Sequence, residues 1–105
     1  ALNETEYDVA DVVKNDLDDI LYAESINNYV VIDTEKEQLV TYNTLKKIQQ
    51  SLPEENFIKI HKSYIVALNK IEKTDNFEVW INGKDLPLGE TYRTEFFKKI
   101  NAKKL

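Results

Sequence analysis

The stretch FIKIHKSYIVALNKI, residues 57–71, constrains this chain more than any other. Two apolar runs, Phe57-Ile58-Lys59-Ile60 and Tyr64-Ile65-Val66-Ala67-Leu68, flank the polar triplet His61-Lys62-Ser63. The first run alternates and the second is rich in β-branched residues, so both read as strand or buried extended chain. A short polar tip held between buried flanks aims a cation and a hydroxyl at a partner. The triplet contains the only histidine of the chain, and no acid lies between Phe57 and Ile71, although the net charge is -5.

That acidity would ordinarily argue against a nucleic-acid partner, but its distribution is uneven. Residues 1–19 carry seven acids and one base, which leaves twelve acids and thirteen bases for the rest of the 105-residue chain. The body is nearly neutral, so a local basic face decides attraction to phosphates. The length fits one domain that buries about 60–70% of its unfolded surface. No apolar run approaches the ~20 residues that span a bilayer, and the start does not resemble a signal peptide. The expectation is a cytoplasmic protein without membrane contact. The absence of cysteine excludes disulfides, thiol catalysis and cysteine metal sites.

Residues 1–16 are acidic and weakly patterned, and read as a linker or an edge segment in which Tyr7, Val9, Val12 and Val13 form a short strand or loose turn. The domain proper is expected over 17–105. Residues 17–24 and 29–32 read as strands joined by a polar loop, with Asn27-Asn28 at the turn because asparagine tolerates the left-handed region. Asp18-Asp19 lacks the further ligands a metal or acid/base site needs, so it reads as a solvated strand entrance.

A charged turn over 33–38 leads into a strand over 39–42, and Asn43 or Thr44 caps a helix over 45–52 whose Leu45, Ile48 and Leu52 share a face. Pro53 stops it. Since 57 onward reads as strand, no second helix follows to complete a helix-turn-helix, and this is a packing helix. Phe77-Glu78-Val79-Trp80-Ile81 alternates, Asn82-Gly83 makes a hairpin, and residues 84–88 return along a sheet edge because of Pro87. Thr91 caps a last helix over 92–102 with Tyr92, Phe96 and Ile100 on its buried stripe and Phe97 beside them. The whole reads as mostly β and antiparallel, with two helices.

The order ILYAES, polar loop, YVVI, helix ending in LP, FIKIHKSYIVALNKI, NG hairpin and LPLGETYRTEFFKKI resembles the LytTR DNA-binding domain of bacterial response regulators, from about Leu17 to Ile100. The resemblance implies an elongated sandwich of three small antiparallel sheets with two short peripheral helices, whose loops enter the major grooves of double-stranded DNA. It further implies a homodimer on direct repeats, often governed by an upstream receiver domain. The chain is too short to hold a receiver, so the expectation is the output half of a longer protein or a free-standing regulator.

Carried over residue by residue, the resemblance puts base contacts at Asn28 or Tyr29, at Lys62 and at Arg93. Arg93 is the only arginine of the chain. Arginine forks onto guanine O6 and N7 at about 1–3 kcal/mol of discrimination, and asparagine can pair bidentately with adenine. The bland alternatives are an Arg93 ion pair with Glu90 or Glu95, a simple turn role for Asn28 and a solvated Lys62. Phosphate contacts are expected from Lys59, His61, Ser63, Lys70, Lys73, Lys98 and Lys99, where helix-dipole complementarity is the competing role of the last two. Tyr64 offers a further hydroxyl or belongs to the core. His61 has no nucleophile or carboxylate at a recognisable spacing, and no catalytic constellation, cofactor motif or metal site is expected. The competing class is an interaction module that binds a basic partner through exposed strand edges and the acidic first nineteen residues.

Overall fold

The structure, a computed structural model, describes residues 2–6 and 8–103. In chain order the elements are strand β1 (Leu2–Glu6), helix α1 (Val9–Asp16), strands β2 (Ile20–Ile26), β3 (Tyr29–Thr34) and β4 (Gln38–Thr41), helix α2 (Leu45–Ser51), strands β5 (Phe57–His61), β6 (Tyr64–Ala67), β7 (Ile71–Thr74), β8 (Glu78–Ile81) and β9 (Lys84–Pro87), and helix α3 (Arg93–Lys103). Short 3-10 turns cover Leu17–Asp19, Leu68–Lys70 and Glu90–Tyr92. The principal extents of 37 × 26 × 25 Å make the molecule elongated.

The mostly β architecture expected from the sequence is present, but the strands gather into two sheets where three were expected. A six-stranded sheet runs β1-β4-β3-β2-β6-β5, and a three-stranded sheet runs β7-β8-β9. The sheets merge because β2 uses both its edges: it pairs with β3 from Ile26↔Tyr29 to Ile20↔Thr34 and with β6 through Tyr22↔Val66 and Glu24↔Tyr64. This joins the β5–β6 hairpin to the β2–β3–β4 meander. All pairings are antiparallel except that of β1 with β4, which is parallel.

Period-two alternation distributes the central strands between two cores. Ile20, Ala23, Val30, Ile32, Ile65 and Ala67 face a cluster closed by α1 and α2. Tyr22, Ile60 and Val66 face a second cluster shared with Val79, Ile81, Leu86 and Phe96. The six-stranded sheet is therefore covered on both faces. This explains why β6 reads as an unbroken apolar run, whereas β8, which buries only Val79 and Ile81, alternates.

Three α-helices are present among the described residues where two were expected. The additional one is α1, in the segment read as a strand or loose turn. Asp8 caps it by accepting a hydrogen bond from the Ala10 N–H at 2.9 Å, and Val9 and Val12 are buried three residues apart. Tertiary burial and the cap outweigh the β preference of valine. Thr44 caps α2 by accepting from the Lys47 N–H at 3.2 Å. Thr91 does not stand before α3 as its cap: it lies within the 3-10 turn Glu90–Tyr92, which Gly89 opens without a side-chain cap and which runs directly into α3 at Arg93.

The Asn82-Gly83 hairpin has both residues at positive φ, 51° and 77°, as a tight two-residue turn requires. Pro87 lies on β9, an edge strand of the small sheet, as expected.

Candidate nucleic-acid interface

The β2–β3 and β5–β6 turns emerge at one end of the large sheet because β2 and β6 are antiparallel neighbours. Glu24 stands opposite Tyr64, and the Ser25 N–H donates to the Ser63 carbonyl at 2.9 Å, so the turns are tied backbone to backbone. Asn27 takes the left-handed conformation (φ 54°), which leaves Asn28 exposed at the tip. Tyr29 is half-buried, and its ring packs at 5.9 Å on that of Tyr42, which is 54% exposed.

In the second turn the Ser63 N–H donates to His61 Nδ1 at 3.1 Å. The acceptor role assigned to Nδ1 leaves Nε2 as the nitrogen that can donate outward. The His61 ring also lies edge-on to Tyr64 at 5.8 Å, so this side chain braces the turn that presents the exposed Lys62.

The third tip is attached through the free edge of β5. The Gly89 N–H donates to the Ile60 carbonyl at 2.7 Å, two residues before Lys62. A Cβ at Gly89 would lie 3.0 Å from the Tyr92 ring and 3.4 Å from that carbonyl, so glycine permits the close approach. The chain then turns through Glu90–Tyr92 and opens α3 at Arg93, whose guanidinium carbon lies 5.3 Å from the centre of the Phe77 ring. Arg93 is in neither ion pair of the described residues, so the alternative of a salt bridge to Glu90 or Glu95 is not formed there. Its Nε is buried without a hydrogen-bond partner.

The expected phosphate ligands separate into groups. Lys59, Lys98 and Lys99 line one groove of about 480 Å³ between β5 and α3, together with Tyr92, Glu54 and Glu95. The Lys59 ammonium lies 6.0 Å from the Tyr92 ring, and Lys99 Nζ donates to the Glu54 carbonyl. Lys73 lies elsewhere, 4.6 Å from the ring of Trp80 on the outer face of the small sheet, which also carries Glu78 and Asp85. Those two carboxyls hydrogen-bond, which raises the Glu78 pKa and lowers that of Asp85. Lys70 follows β6 at the far end from the tips and is ion-paired with Glu35 at 3.1 Å. The structure thus places His61 and Ser63 at the Lys62 turn and Lys59 on the strand leading to it. It sets Lys98 and Lys99 beside Glu54 and Phe57 at the other end of β5, and leaves Lys70 and Lys73 apart.

Three residues outside the expected set join the site. Lys47 shares a depression of about 460 Å³ with Asn28, Tyr42 and Asn43. Lys84 reaches back from the hairpin to within 5.7 Å of the Tyr22 ring, and its charge acts on Tyr64. Phe77, 68% exposed, backs Arg93. Only the Phe77 alternation was visible in sequence, and it pointed to the core. Lys47 and Lys84 reach the site through contacts that no local pattern encodes.

Tyr64 ties the motif turn to β2. Its hydroxyl donates to Glu24 Oε2 at 2.9 Å. Burial first, and this hydrogen bond second, push its pKa up to about 12. A phenol raised above its usual ~10 contributes stability in full below that pH, and the contribution is lost as pH climbs through the folded value. The Tyr64 ring resonances should therefore titrate near 12, and Glu24→Gln should move the midpoint only part of the way towards 10, because burial remains. A midpoint near 10 in the unaltered protein would show that the phenol is neither buried nor bonded to Glu24 in solution.

No helix among the described residues is long and apolar enough to cross a membrane, and no group of three or more His, Asp or Glu could hold a metal ion. What the fold offers is a β scaffold presenting amide, ammonium and guanidinium donors on turns tied together by backbone hydrogen bonds. A solved LytTr DNA-binding domain from Bacillus cereus shares this fold, with a TM-score of 0.72 over 79% of this chain and 82% of that one at 22% identity. The sequence matches the LytTr DNA-binding domain family over residues 10–101, and the chain belongs to that family. The family is defined by DNA binding and is not a catalytic one.

Among full-length relatives, the sensory transduction protein LytT of Bacillus anthracis is 28% identical over 98 residues, covering 85% of this chain and 39% of that protein. LytT of Bacillus subtilis is 27% identical over 99 residues, covering 86% and 40%. The transcriptional regulatory protein NatR of Bacillus subtilis is 37% identical over 54 residues, covering 51% and 23%. The chain thus spans about two fifths of the length of the LytT relatives.

Proposed function

We propose that this domain binds double-stranded DNA in a sequence-specific manner to regulate transcription, as the output domain of a two-component response regulator whose receiver lies outside this chain. Asn28, Tyr29, Lys62 and Arg93 read base edges in the major groove. Lys59, His61, Ser63, Lys98 and Lys99 gather phosphates, with Lys47 and Lys84 as additions. Two copies bind direct repeats. Phosphate contacts set position and salt dependence, and base contacts set sequence.

The observation that carries this reading is the pair of backbone hydrogen bonds, Ser25 to Ser63 and Gly89 to Ile60, which tie the Asn28 turn to the Lys62 turn and the entry to Arg93 to the strand beneath it. Separate, unconnected loops could not hold a fixed register on a duplex. Lys70, neutralised by Glu35 at the far end of β6, has no part in this set, and Lys73 is peripheral to it.

Selection of duplexes from a random library, followed by a salt titration on the winner, tests the proposal. Enrichment of a site containing one motif twice in the same orientation is expected. Its affinity should fall along a log–log line in salt whose slope is about -0.9 per phosphate contact. Failure to enrich any duplex, together with salt-independent affinity, would favour a protein-interaction module using the strand edges.

A further inference from the structure

Phe77 is an exposed apolar side chain on an unusually well-fixed piece of loop. Asp75 Oδ1 accepts from the N–H groups of Phe77 and Glu78, both at 2.8 Å, the Leu88 N–H donates to the Phe77 carbonyl at 2.8 Å, and the Thr74 hydroxyl donates to the Glu78 carbonyl at 2.9 Å. The ring is 68% exposed, so little core burial explains its presence or its fixed backbone. Its visible contact is with the Arg93 guanidinium, 5.3 Å from the ring centre. Among the described residues no carboxylate pairs with that guanidinium and its buried Nε has no hydrogen-bond partner, while the Phe77 ring lies against the fork. An aromatic ring attracts a guanidinium through its quadrupole and can stack on its plane without using the N–H donors.

We propose that Phe77 is a positioning residue for DNA reading: a platform that holds the Arg93 fork in the orientation in which it meets a base. This rests on the base-reading role proposed above for Arg93. A fork held before contact loses less rotamer freedom on binding, and an apolar platform leaves all of its outer donors for the base. The ring acts through Arg93, so its loss should lower discrimination at the base pair that Arg93 reads without altering attraction to phosphates.

The test uses the duplex obtained by selection and its single-base-pair substitutions. Arg93→Ala locates the base pair concerned. At that pair Phe77→Ala should reduce discrimination about two- to five-fold, the worth of an exposed cation–π contact. Phe77→Leu should lose the same amount although it stays apolar, and Phe77→Tyr should restore it. Affinity for random duplex and the salt slope should not change, and the urea midpoint reports any loss of folding. Full discrimination by Phe77→Ala or Phe77→Leu, at a base pair where Arg93→Ala removes it, overturns the platform alone. An Arg93→Ala variant that discriminates normally at every position overturns the base-reading role, and the platform with it.

Discussion

Phe96→Ala is expected to cost about 3–5 kcal/mol of folding stability, the range for removing a fully buried phenylalanine when the surroundings relax only in part. Phe96 has no exposed surface, packs its ring at 5.2 Å against Phe97, and belongs to the cluster that joins Ile60 and Val66 of the large sheet to Val79, Ile81 and Leu86 of the small one. Against a typical domain stability of about 5–15 kcal/mol this is a large fraction.

The functional consequence follows from the length of α3. An eleven-residue helix is marginal by itself and owes its stability to its buried face. That face consists of Phe96 with the partly buried Phe97 and Ile100, extended by Tyr92 of the preceding turn. Loss of Phe96 should therefore loosen the helix whose first residue is Arg93, so discrimination between duplexes should fall while general attraction to DNA persists. Urea denaturation gives the stability change, and amide exchange along α3 locates it. A cost below about 1 kcal/mol would mean that the two sheets are held together elsewhere.

Arg93→Ala should abolish preference at one or two base pairs, a loss of about 1–3 kcal/mol, roughly five- to 150-fold, with weaker effects on random duplex. Arg93→Lys sharpens the test. It keeps the charge, so the salt slope should stay unchanged, but an ammonium cannot fork onto two acceptors or stack as a plane on Phe77. Discrimination should then be lost almost as fully as with alanine. Lys70→Ala is the contrast, because its charge is already spent on Glu35 and it lies away from the turns; binding should barely change. Equal losses on selected and random duplexes for Arg93→Ala would remove it from the set of base readers.

Much of this domain is written locally. The polar triplet between two apolar runs became the β5–β6 hairpin with Lys62 at its tip, Asn27-Asn28 and Asn82-Gly83 became turns with positive φ, and Thr44 capped α2. In each case the cause lies within a few residues, in side-chain alternation, left-handed tolerance or a side-chain oxygen near a free N–H. The segment at residues 9–16 misled for the opposite reason: three valines suggested extended chain, and burial of two of them against a distant core made a helix.

Sequence by itself determined most of the central strands, the turns and the identity of the donors on them, because hydrophobic period and turn chemistry act over short range; β7 and the 3-10 turn at Leu17–Asp19 had no such local mark. The number of sheets, the alignment of the turns and the sorting of lysines into groove, outer face and far end were decided only by tertiary structure. Those features depend on which strand edges meet, as when β2 joins β6 or Gly89 closes on Ile60, and on where long side chains find partners, as Lys70 finds Glu35 and Arg93 finds Phe77. Such contacts are fixed by the packing of residues far apart in the chain, which no local pattern records.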